Sequence, residues 1–325
     1  MLARNAGTDF RPLPFLGNPH VQTILGFLWK SGRFRALTQT KFLRLDDGDE
    51  IALHDSIPPD WKADAPIALM MHGMGGDHRS SYLQRLAGAL YPKGIRVVRM
   101  DLRGAGAGFG RAERFYHAGR TDDILAALKE IRTWSPTSPL WLIGFSLSGN
   151  MALKLAGEKG SEFMKLAARV AALAPPIDVL QCSKLISLPK NRIYDRFFAN
   201  HLASLARQRQ AFYPNPPLPV FPKRLTMKLF DDLFTAPRCG FADAYDYYRK
   251  TSSVSVIPNI KVPTLMLTAR DDPFVAIAPF ESLRTLPQVT LEIHDHGGHL
   301  GFLGYHGGSA RWLERRVARW LLGET

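Results

Sequence analysis

The stretch Leu140-Trp141-Leu142-Ile143-Gly144-Phe145-Ser146-Leu147-Ser148-Gly149-Asn150 carries an apolar run into a turn of small residues that contains a serine. The run is typical of a buried strand, and an amphipathic helical segment follows at once. Such a turn holds a serine hydroxyl clear of the chain and points the first N–H groups of the helix at developing charge. The stretch therefore predicts Ser146 as a nucleophile. Ser148 stands where the nucleophile-elbow pattern Gly-x-Ser-x-Gly has its second glycine.

Strand and helix patterns alternate on both sides of this stretch. Strands are predicted at residues 67–71, 95–100, 140–143, 169–174, 264–268 and 289–293, and helices at 83–90, 122–134, 151–157 and the C-terminus. Asp46-Asp47-Gly48-Asp49 is a turn signal that predicts a hairpin of residues 41–45 and 50–54. This rhythm predicts the α/β class, with one domain over residues 1–325 and a mostly parallel sheet covered by helices on both faces.

Two segments depart from the alternation. Residues 1–40 are interpreted as an extension packed on the main body, in which three prolines disfavour helix and three apolar side chains are expected to be buried. These are Pro12, Pro14 and Pro19, and Phe10, Phe15 and Val21. Residues 176–258 are rich in aromatic side chains and predict a mainly helical cap insertion over the sheet, which would supply an apolar pocket.

Three predicted strand ends present Ser146, Asp272 and His299 in the chain order nucleophile, acid, base. The carboxyl ends of parallel strands meet at one edge of a sheet, so we expect these side chains to lie together. His299 would accept the Ser146 proton, and Asp272 would hold the imidazole tautomer. The order is the one expected for the catalytic triad of an α/β-hydrolase.

Neighbouring residues remain open as alternatives within this triad. Asp272 is favoured over Asp271 because Pro273 and Val275 indicate a turn directly after the acid. The competing bases are His294 and His296, and His299 is favoured because glycines at 297 and 298 allow its loop to reach the serine.

An acyl-transfer site also needs N–H donors for an oxyanion. The backbone N–H of Leu147, directly after the nucleophile, is predicted as one donor, and the N–H of Met74 as the other. Met74 lies in the turn His72-Gly73-Met74-Gly75-Gly76 that follows a strand. We expect His72 itself, and His20 beside Pro19, to be structural histidines.

No cofactor or metal is predicted. The spacing His294-x-His296-x-x-His299 does not imply one pocket for three zinc ligands. The glycine-rich run at residues 104–110 satisfies Gly-x-Gly-x-x-Gly in no register, and we interpret it as a loop beside the site. Arg103 is expected to tie loops together, whereas Asp101 has no clear chemical role.

The formal net charge of +13, from 42 basic and 29 acidic residues, comes from scattered positions, so nucleic-acid binding is not expected. The densest charged group alternates with apolar residues, which predicts a solvated face on a packed terminal helix and at most weak contact with an anionic membrane surface. That group is Arg311, Glu314, Arg315, Arg316 and Arg319. Two cysteines, no secretory signal at residues 1–10 and no membrane-spanning run favour a cytoplasmic protein with free thiols.

At this point the sequence resembles the YheT-like branch of the α/β-hydrolases, which is related to the ABHD-type lipases of eukaryotes. The resemblance covers nearly the whole chain. It rests on Asn18-Pro19-His20-Val21-Gln22-Thr23, His72-Gly73, Asp101-Leu102-Arg103-Gly104, Tyr116-His117-Ala118-Gly119, the stretch around Ser146, Phe230-Asp231, Thr235-Ala236-Pro237, Gly240-Phe241, Asp271-Asp272-Pro273-Phe274 and Gly297-Gly298-His299-Leu300-Gly301-Phe302.

The resemblance implies a serine esterase that acts on carboxylic esters and acylglycerols without a cofactor, with Ser146, Asp272 and His299 as its triad. Ser148 departs from the glycine that the family usually has. We expect hydrolysis of short- or medium-chain acyl esters or monoacylglycerol-like lipids through an acyl-serine intermediate. The alternatives are a non-catalytic protein that binds a lipid-like ligand, or an acyltransferase or amidase with the same triad. The oligomeric state is left open.

Overall fold

The computed structural model of the chain describes residues 10–29, 34–284, 286–306 and 309–324. Residues 1–9, where no secretory signal is predicted, and residues 30–33 of the predicted extension lie outside the described residues. The described chain forms an eight-stranded sheet of order β1-β2-β4-β3-β5-β6-β7-β8. Its strands are β1 (Gln39–Arg44), β2 (Glu50–Ser56), β3 (Ile67–Met71), β4 (Arg96–Asp101), β5 (Leu140–Phe145), β6 (Arg169–Leu173), β7 (Thr264–Ala269) and β8 (Val289–His294).

The sheet is mostly parallel, as predicted. β1 and β2 form the predicted antiparallel hairpin, β2 pairs antiparallel to β4, and the neighbours from β4 through β3 to β8 are parallel. All residues of β3, β4, β5 and β7 are buried, because helices cover both faces of a parallel sheet. This confirms the predicted fold class and brings the carboxyl ends of β3, β5, β7 and β8 to one edge.

Eleven α-helices occur in the described residues. They are α1 (Pro19–Leu28), α2 (Ser81–Leu90), α3 (Asp122–Trp134), α4 (Leu147–Lys159), α5 (Val179–Ile186), α6 (Arg192–Arg209), α7 (Met227–Phe230), α8 (Ala236–Arg238), α9 (Ala244–Thr251), α10 (Ala278–Glu281) and α11 (Trp312–Leu322). None of the helices in this part of the chain combines the length and the apolar character needed to cross a membrane.

One apolar core lies on each face of the sheet, between the strands and the helices that cover them. On one face Leu69 packs with Leu128 of α3 and Leu155 of α4, and on the other face Met70 packs with Leu86 of α2 and Val317 of α11. Successive residues of a strand point to opposite faces, so a continuous apolar run fills both cores.

The segment between β6 and β7 carries α5 to α9 and is mainly helical, as the sequence predicts. It has a small apolar core of its own, built from alanines on α6 and aromatic side chains that follow. These residues include Ala199, Ala203, Ala206, Leu225, Phe230 and Phe234. The bounds 176–258 for a cap, and the treatment of the chain as one domain, stay predictions.

The N-terminal extension differs from the prediction in two ways. Pro19 does not block helix but begins α1, with the Asn18 side chain accepting the N–H groups of His20 and Val21. Proline suits the first helical position, where its missing N–H would have no intrahelical partner. Phe15 is fully exposed and Val21 only partly buried, whereas Phe10 is buried as predicted, 5.2 Å from the ring of Phe302.

The predicted solvated face of the terminal helix is also wrong in part. Glu314 and Arg316 of α11 are buried, because each has an ionic partner inside the fold. Arg316 Nη2 lies 2.5 Å from Glu292 Oε1, and Glu314 bonds to Arg85. The sequence pattern also missed the short antiparallel pair β9 (Leu303–His306) and β10 (Ser309–Arg311) that precedes this helix.

Candidate active site

Three side chains from three strand ends form one hydrogen-bonded chain. Ser146, directly after β5, has its Oγ 2.9 Å from Nε2 of His299. Nδ1 of the same imidazole lies 2.8 Å from Oδ2 of Asp272, which is buried beyond the end of β7. An Nδ1–H donor to the carboxylate leaves Nε2 free to accept the serine proton. The structure thus brings the three predicted residues together at the edge where the sequence places them.

A strained turn presents Ser146. Its φ angle is 53°, in the region that residues with a side chain rarely adopt, and its N–H donates to Leu173 O on β6 at 2.8 Å. The crossing of strand and helix is tight, because a Cβ at Gly144 would lie 2.3 Å from the carbonyl oxygen of Ser148. A Cβ at Gly73 of the neighbouring turn would also be crowded, 3.2 Å from the Ser146 Cβ. The glycines allow the chain to hold Ser146 in this tight turn at the edge of the cavity.

Hydrogen bonds from the backbone separate Asp272 from its alternative. Oδ1 of Asp272 accepts the N–H groups of Phe274 and Val275, at 2.8 and 3.0 Å, which aims Oδ2 at the imidazole. Asp271 instead accepts the N–H of Gly298 at 2.9 Å and so supports the loop that carries His299. The structure therefore gives the two adjacent carboxylates different partners.

The competing histidines lie elsewhere. His294 is buried at the end of β8, where Nδ1 faces the N–H of Phe10 at 3.4 Å. His296 lies half-exposed, 3.5 Å from Asp271. Neither contacts Ser146 in the described part of the chain, and the two do not converge with His299 on a common point.

Two backbone N–H groups at the cavity match the predicted oxyanion donors in position. In the turn after β3, Gly73 N–H donates to Tyr82 Oη at 2.9 Å and Gly75 N–H donates to Tyr116 Oη at 2.7 Å. Between them, the N–H of Met74 has no acceptor among the described residues, and neither has the N–H of Leu147 at the start of α4. These are the two donors that the sequence predicts, and both residues border the cavity at Ser146.

The side chain of His72 stabilises the turn after β3 through two hydrogen bonds. The buried imidazole of His72 bonds through Nδ1 to Gly73 O at 2.7 Å, and its Nε2 accepts the N–H of Leu102 at 3.0 Å. Burial lowers the pKa of His72, which suits a neutral ring with one donor and one acceptor. The structural role expected for His72 agrees with these contacts.

A cavity of about 620 Å³ opens at Ser146 and His299 and extends beneath the helices of the β6–β7 segment. Its lining is mostly apolar and aromatic. It includes Phe115, Tyr116, Leu202, Leu205, Phe230 and Phe234. A cavity of this size and character accommodates an apolar chain next to the serine.

Comparison with known proteins places this arrangement in a family. The family described as alpha/beta hydrolase fold matches residues 66–304, about three quarters of the chain. The Escherichia coli (strain K12) protein named "Putative esterase YheT" is 33% identical over 98% of this chain and 94% of its own length. The chain belongs to the α/β-hydrolase family. The resemblance to its YheT-like branch, predicted from the motifs, is confirmed.

More distant relatives of this α/β-hydrolase include a Saccharomyces cerevisiae protein named "Monoacylglycerol lipase", 27% identical over 79% of this chain and 59% of its own length. A mouse protein named "Phospholipase ABHD3" is 26% identical over 82% of this chain. Among solved structures, the Pyrococcus furiosus esterase Pf2001 superposes with a TM-score of 0.58 at 15% identity, covering 89% of this chain and 93% of its own. At that identity the likeness shows the fold alone.

Ser148 explains how this hydrolase accommodates its departure from the glycine pattern. Its Oγ is buried, accepts the N–H of Phe145 at 2.9 Å and donates to Met71 O at 2.8 Å, so it ties the end of β5 to the end of β3. From the sequence pattern, Ser148 was only a departure from the usual glycine. Its hydrogen bonds were not predicted, although a small polar residue at the second position of the helix is a signal for side-chain bonding to the backbone.

Arg103 and Asp101 act in the loops around the site. Arg103 binds Asp47, Asp49 and Asp123 and thereby joins the β1–β2 turn to α3, as expected of a residue that ties loops together. Asp101, to which the sequence assigned no role, is fully buried at the end of β4.

Two histidines converge on Asp101. His54 Nε2 and His78 Nδ1 each lie 2.9 Å from its Oδ2, and Ala107 N–H donates to the same oxygen at 2.8 Å. Burial would raise the pKa of Asp101, but the hydrogen bonds and charges of the two histidines outweigh it and hold the pKa far below its usual range. The carboxylate therefore braces the loop of His78 against β2.

These residues also form the one group of three potential metal ligands found in the described chain, with ligand atoms within 4.8 Å of one another. The imidazoles are stacked with centroids 3.5 Å apart, so an ion between their nitrogens would lie well outside both ring planes. N–H donors already occupy the carboxylate. Hydrogen bonding, rather than metal binding, accounts for this cluster.

Proposed function

We propose that the protein is a serine hydrolase of carboxylic esters. The observation that carries this proposal is the hydrogen-bonded chain from Ser146 through His299 to Asp272, which opens into an apolar cavity. The names of the relatives, an esterase, a monoacylglycerol lipase and a phospholipase, support ester hydrolysis in general.

In the proposed first step, His299 Nε2 takes the Ser146 proton as Oγ attacks the ester carbonyl carbon. The carbonyl electrons move to oxygen, where the N–H groups of Met74 and Leu147 would stabilise the negative charge. Asp272 keeps the proton of the imidazole on Nδ1 and stabilises the imidazolium. Collapse of the intermediate expels the alcohol, which receives its proton from His299 and leaves an acyl-serine.

Water completes the cycle by the same steps in reverse order. His299 removes a proton from the water as it attacks the acyl carbon, and returns a proton to Ser146 as the acid departs. An acceptor alcohol or amine in place of water would make the same site an acyltransferase. The proposal of a hydrolase therefore depends on water as the acyl acceptor.

The proposed substrates are short- or medium-chain acyl esters or monoacylglycerol-like lipids. The apolar lining beside Ser146 favours an acyl chain, and its volume of about 620 Å³ sets the scale of the bound molecule. The proposal also includes a cytoplasmic location and weak contact with an anionic membrane surface. Both are inferred from the sequence alone.

The test is hydrolysis of p-nitrophenyl esters over a chain-length series by the wild type and by Ser146→Ala. We expect the variant to lose measurable turnover while its circular dichroism and melting temperature stay those of a folded protein. An active-site fluorophosphonate should label the wild type and not the variant. Turnover retained by Ser146→Ala would overturn the proposal, and a folded wild type without labelling would favour the non-catalytic lipid-binding alternative.

A further inference from the structure

One face of α6 runs along the cavity away from the proposed oxyanion site. His201 lies at the near end, where its Nε2 is 3.1 Å from the carbonyl oxygen of Gly75, next to Met74. Leu205 and Arg209 follow at intervals of four residues, and all three line the cavity. Eight residues of helix place the backbone of Arg209 about 12 Å along the axis from that of His201. The cavity therefore offers an apolar path from Ser146 towards a cation.

Arg209 is buried without an ionic partner. Its residue is 5% exposed, and no carboxylate of the described residues lies within ion-pair distance of its guanidinium. Its Nε donates one long hydrogen bond to Ala112 O at 3.4 Å. The guanidinium also lies 4.2 Å from the ring centroid of Phe115 and 4.8 Å from that of Tyr213. Most of its five N–H donors remain available.

The neighbouring charges do not neutralise it. Burial lowers the pKa of Arg209, and the charge of Arg238 acts in the same direction, against weaker effects of Glu113 and Asp49. Asp49 is already bound to Arg103. Arg103 also lines the cavity, but three carboxylates surround its guanidinium, so Arg209 is the cavity arginine that is left without a counter-ion.

A buried charge without a partner is costly, and a planar guanidinium binds carboxylate or phosphate oxygens through paired hydrogen bonds. We propose that Arg209 forms a subsite for an anionic group, a carboxylate or a phosphate, at the far end of a substrate whose ester carbonyl lies at Ser146. The inference rests on the proposed ester hydrolysis for the position of the carbonyl. It adds that the preferred substrate carries a negative charge separated from the ester by an apolar chain.

The experiment compares p-nitrophenyl esters whose acyl chains end in a carboxylate, a phosphate or a methyl group, over one series of chain lengths. In the wild type we expect short charged esters to be poorer substrates than their methyl-ended counterparts, and charged esters long enough to reach Arg209 to be equal or better. Arg209→Met should lower kcat/KM for the long charged esters at least about tenfold, mainly through KM, and should lower it much less for the methyl-ended esters of the same length.

The matched control is Arg207→Met, which removes the same charge from an exposed position on the same helix. It should change neither series by more than about twofold. Arg209→Lys keeps the charge without the planar fork and should recover part of the loss. Of the carboxylate-ended and phosphate-ended esters, the series whose kcat/KM falls more in Arg209→Met identifies the preferred anion.

Two results would overturn the subsite. One is an equal loss of kcat/KM for charged and methyl-ended esters in Arg209→Met. The other is a wild type that prefers the methyl-ended ester at every chain length, a result that does not depend on whether the variant folds. Binding of the long dicarboxylic acids to Ser146→Ala, measured by calorimetry against the matching monocarboxylic acids, tests the subsite without turnover. Absence of all ester hydrolysis and of fluorophosphonate labelling would count against the proposed function, whereas equal affinities for the two acid series would count against Arg209.

Discussion

Thr23, on a helix near the start of the chain, accepts the backbone N–H of His299 through its Oγ1 at 2.9 Å. The same hydroxyl donates to Pro19 O at 2.7 Å, so one side chain joins the first turn of α1 to the loop of the proposed catalytic base. A Cβ at Gly298 would lie 2.5 Å from Pro19 O, which shows how closely the two segments approach. The N-terminal segment is therefore part of the site's support.

Replacing Thr23 by valine keeps the shape of the side chain and removes the acceptor. We expect kcat for a p-nitrophenyl ester to fall several-fold to about tenfold, because the His299 loop loses one of its fixed points and an N–H is left without a partner. Thr23→Ser keeps the hydroxyl and should stay within about twofold of wild type. Equal kinetics for the two variants would show that this hydrogen bond does not position the imidazole.

The helix that carries Thr23 is the part of the fold that sequence reasoning placed least well. Strands such as β3 and α-helices such as α3 were predicted at their observed bounds, since continuous apolar runs and 3.6-residue periodicity report burial directly. Pro19 was taken to exclude helix, although a proline after an asparagine cap is a helix start. What α1 packs on depends on residues some 275 positions away, and no local pattern encodes that contact.

Asp272→Asn should cost about 10⁴ in turnover while the protein stays folded, because an amide at this position no longer selects the imidazole tautomer that can accept the serine proton. Asp271→Asn is the matched control, since an asparagine Oδ1 can still accept the N–H of Gly298. We expect it to lose less than about tenfold. Steady-state kinetics on one ester decide, and a larger loss in Asp271→Asn would reverse the assignment of the acid.

The choice between these two aspartates shows a limit of prediction from the sequence. Turn signals after the strand favoured Asp272. Two adjacent carboxylates point in different directions, however, and which one faces the imidazole depends on the backbone conformation of the loop. The same limit applies to the proposed oxyanion donors. Met74 was predicted from its place in a glycine-rich turn, whereas the tyrosines that occupy the flanking N–H groups come from residues 82 and 116, beyond any local pattern.

Ser148→Gly restores the usual elbow pattern and should nevertheless destabilise the protein. It leaves the buried N–H of Phe145 without its acceptor and removes the donor to Met71 O, a loss of about 1–3 kcal/mol in the free energy of unfolding. Urea denaturation of wild type, Ser148→Gly and Ser148→Ala measures it. Ser148→Ala should show a similar loss without the added backbone freedom of glycine, and a glycine variant as stable as wild type would contradict the role given to the hydroxyl.

Asp231 should make stability depend on pH below neutrality, in the direction opposite to that of an ion-paired carboxylate. Its buried side chain lines the cavity, and that burial raises the pKa of Asp231 from 3.8 to about 7, against the hydrogen bonds from Thr235 and Tyr248, which lower it. Between these two pKa values the folded chain binds a proton that the unfolded chain has lost, so the contribution of this group to stability falls as pH rises from about 4 to about 7 and is level above that.

Asp231→Asn keeps the shape of the side chain and stays neutral at every pH, so it removes this dependence. Measured by thermal or urea unfolding between pH 5 and pH 8, the wild type should lose stability relative to the variant as pH rises, by up to a few kcal/mol. Other titrating groups affect both proteins alike and cancel in the difference. Parallel curves would show that Asp231 ionises normally in the fold, and that its hydrogen bond from Tyr248, at 2.7 Å, is made to a carboxylate throughout this range.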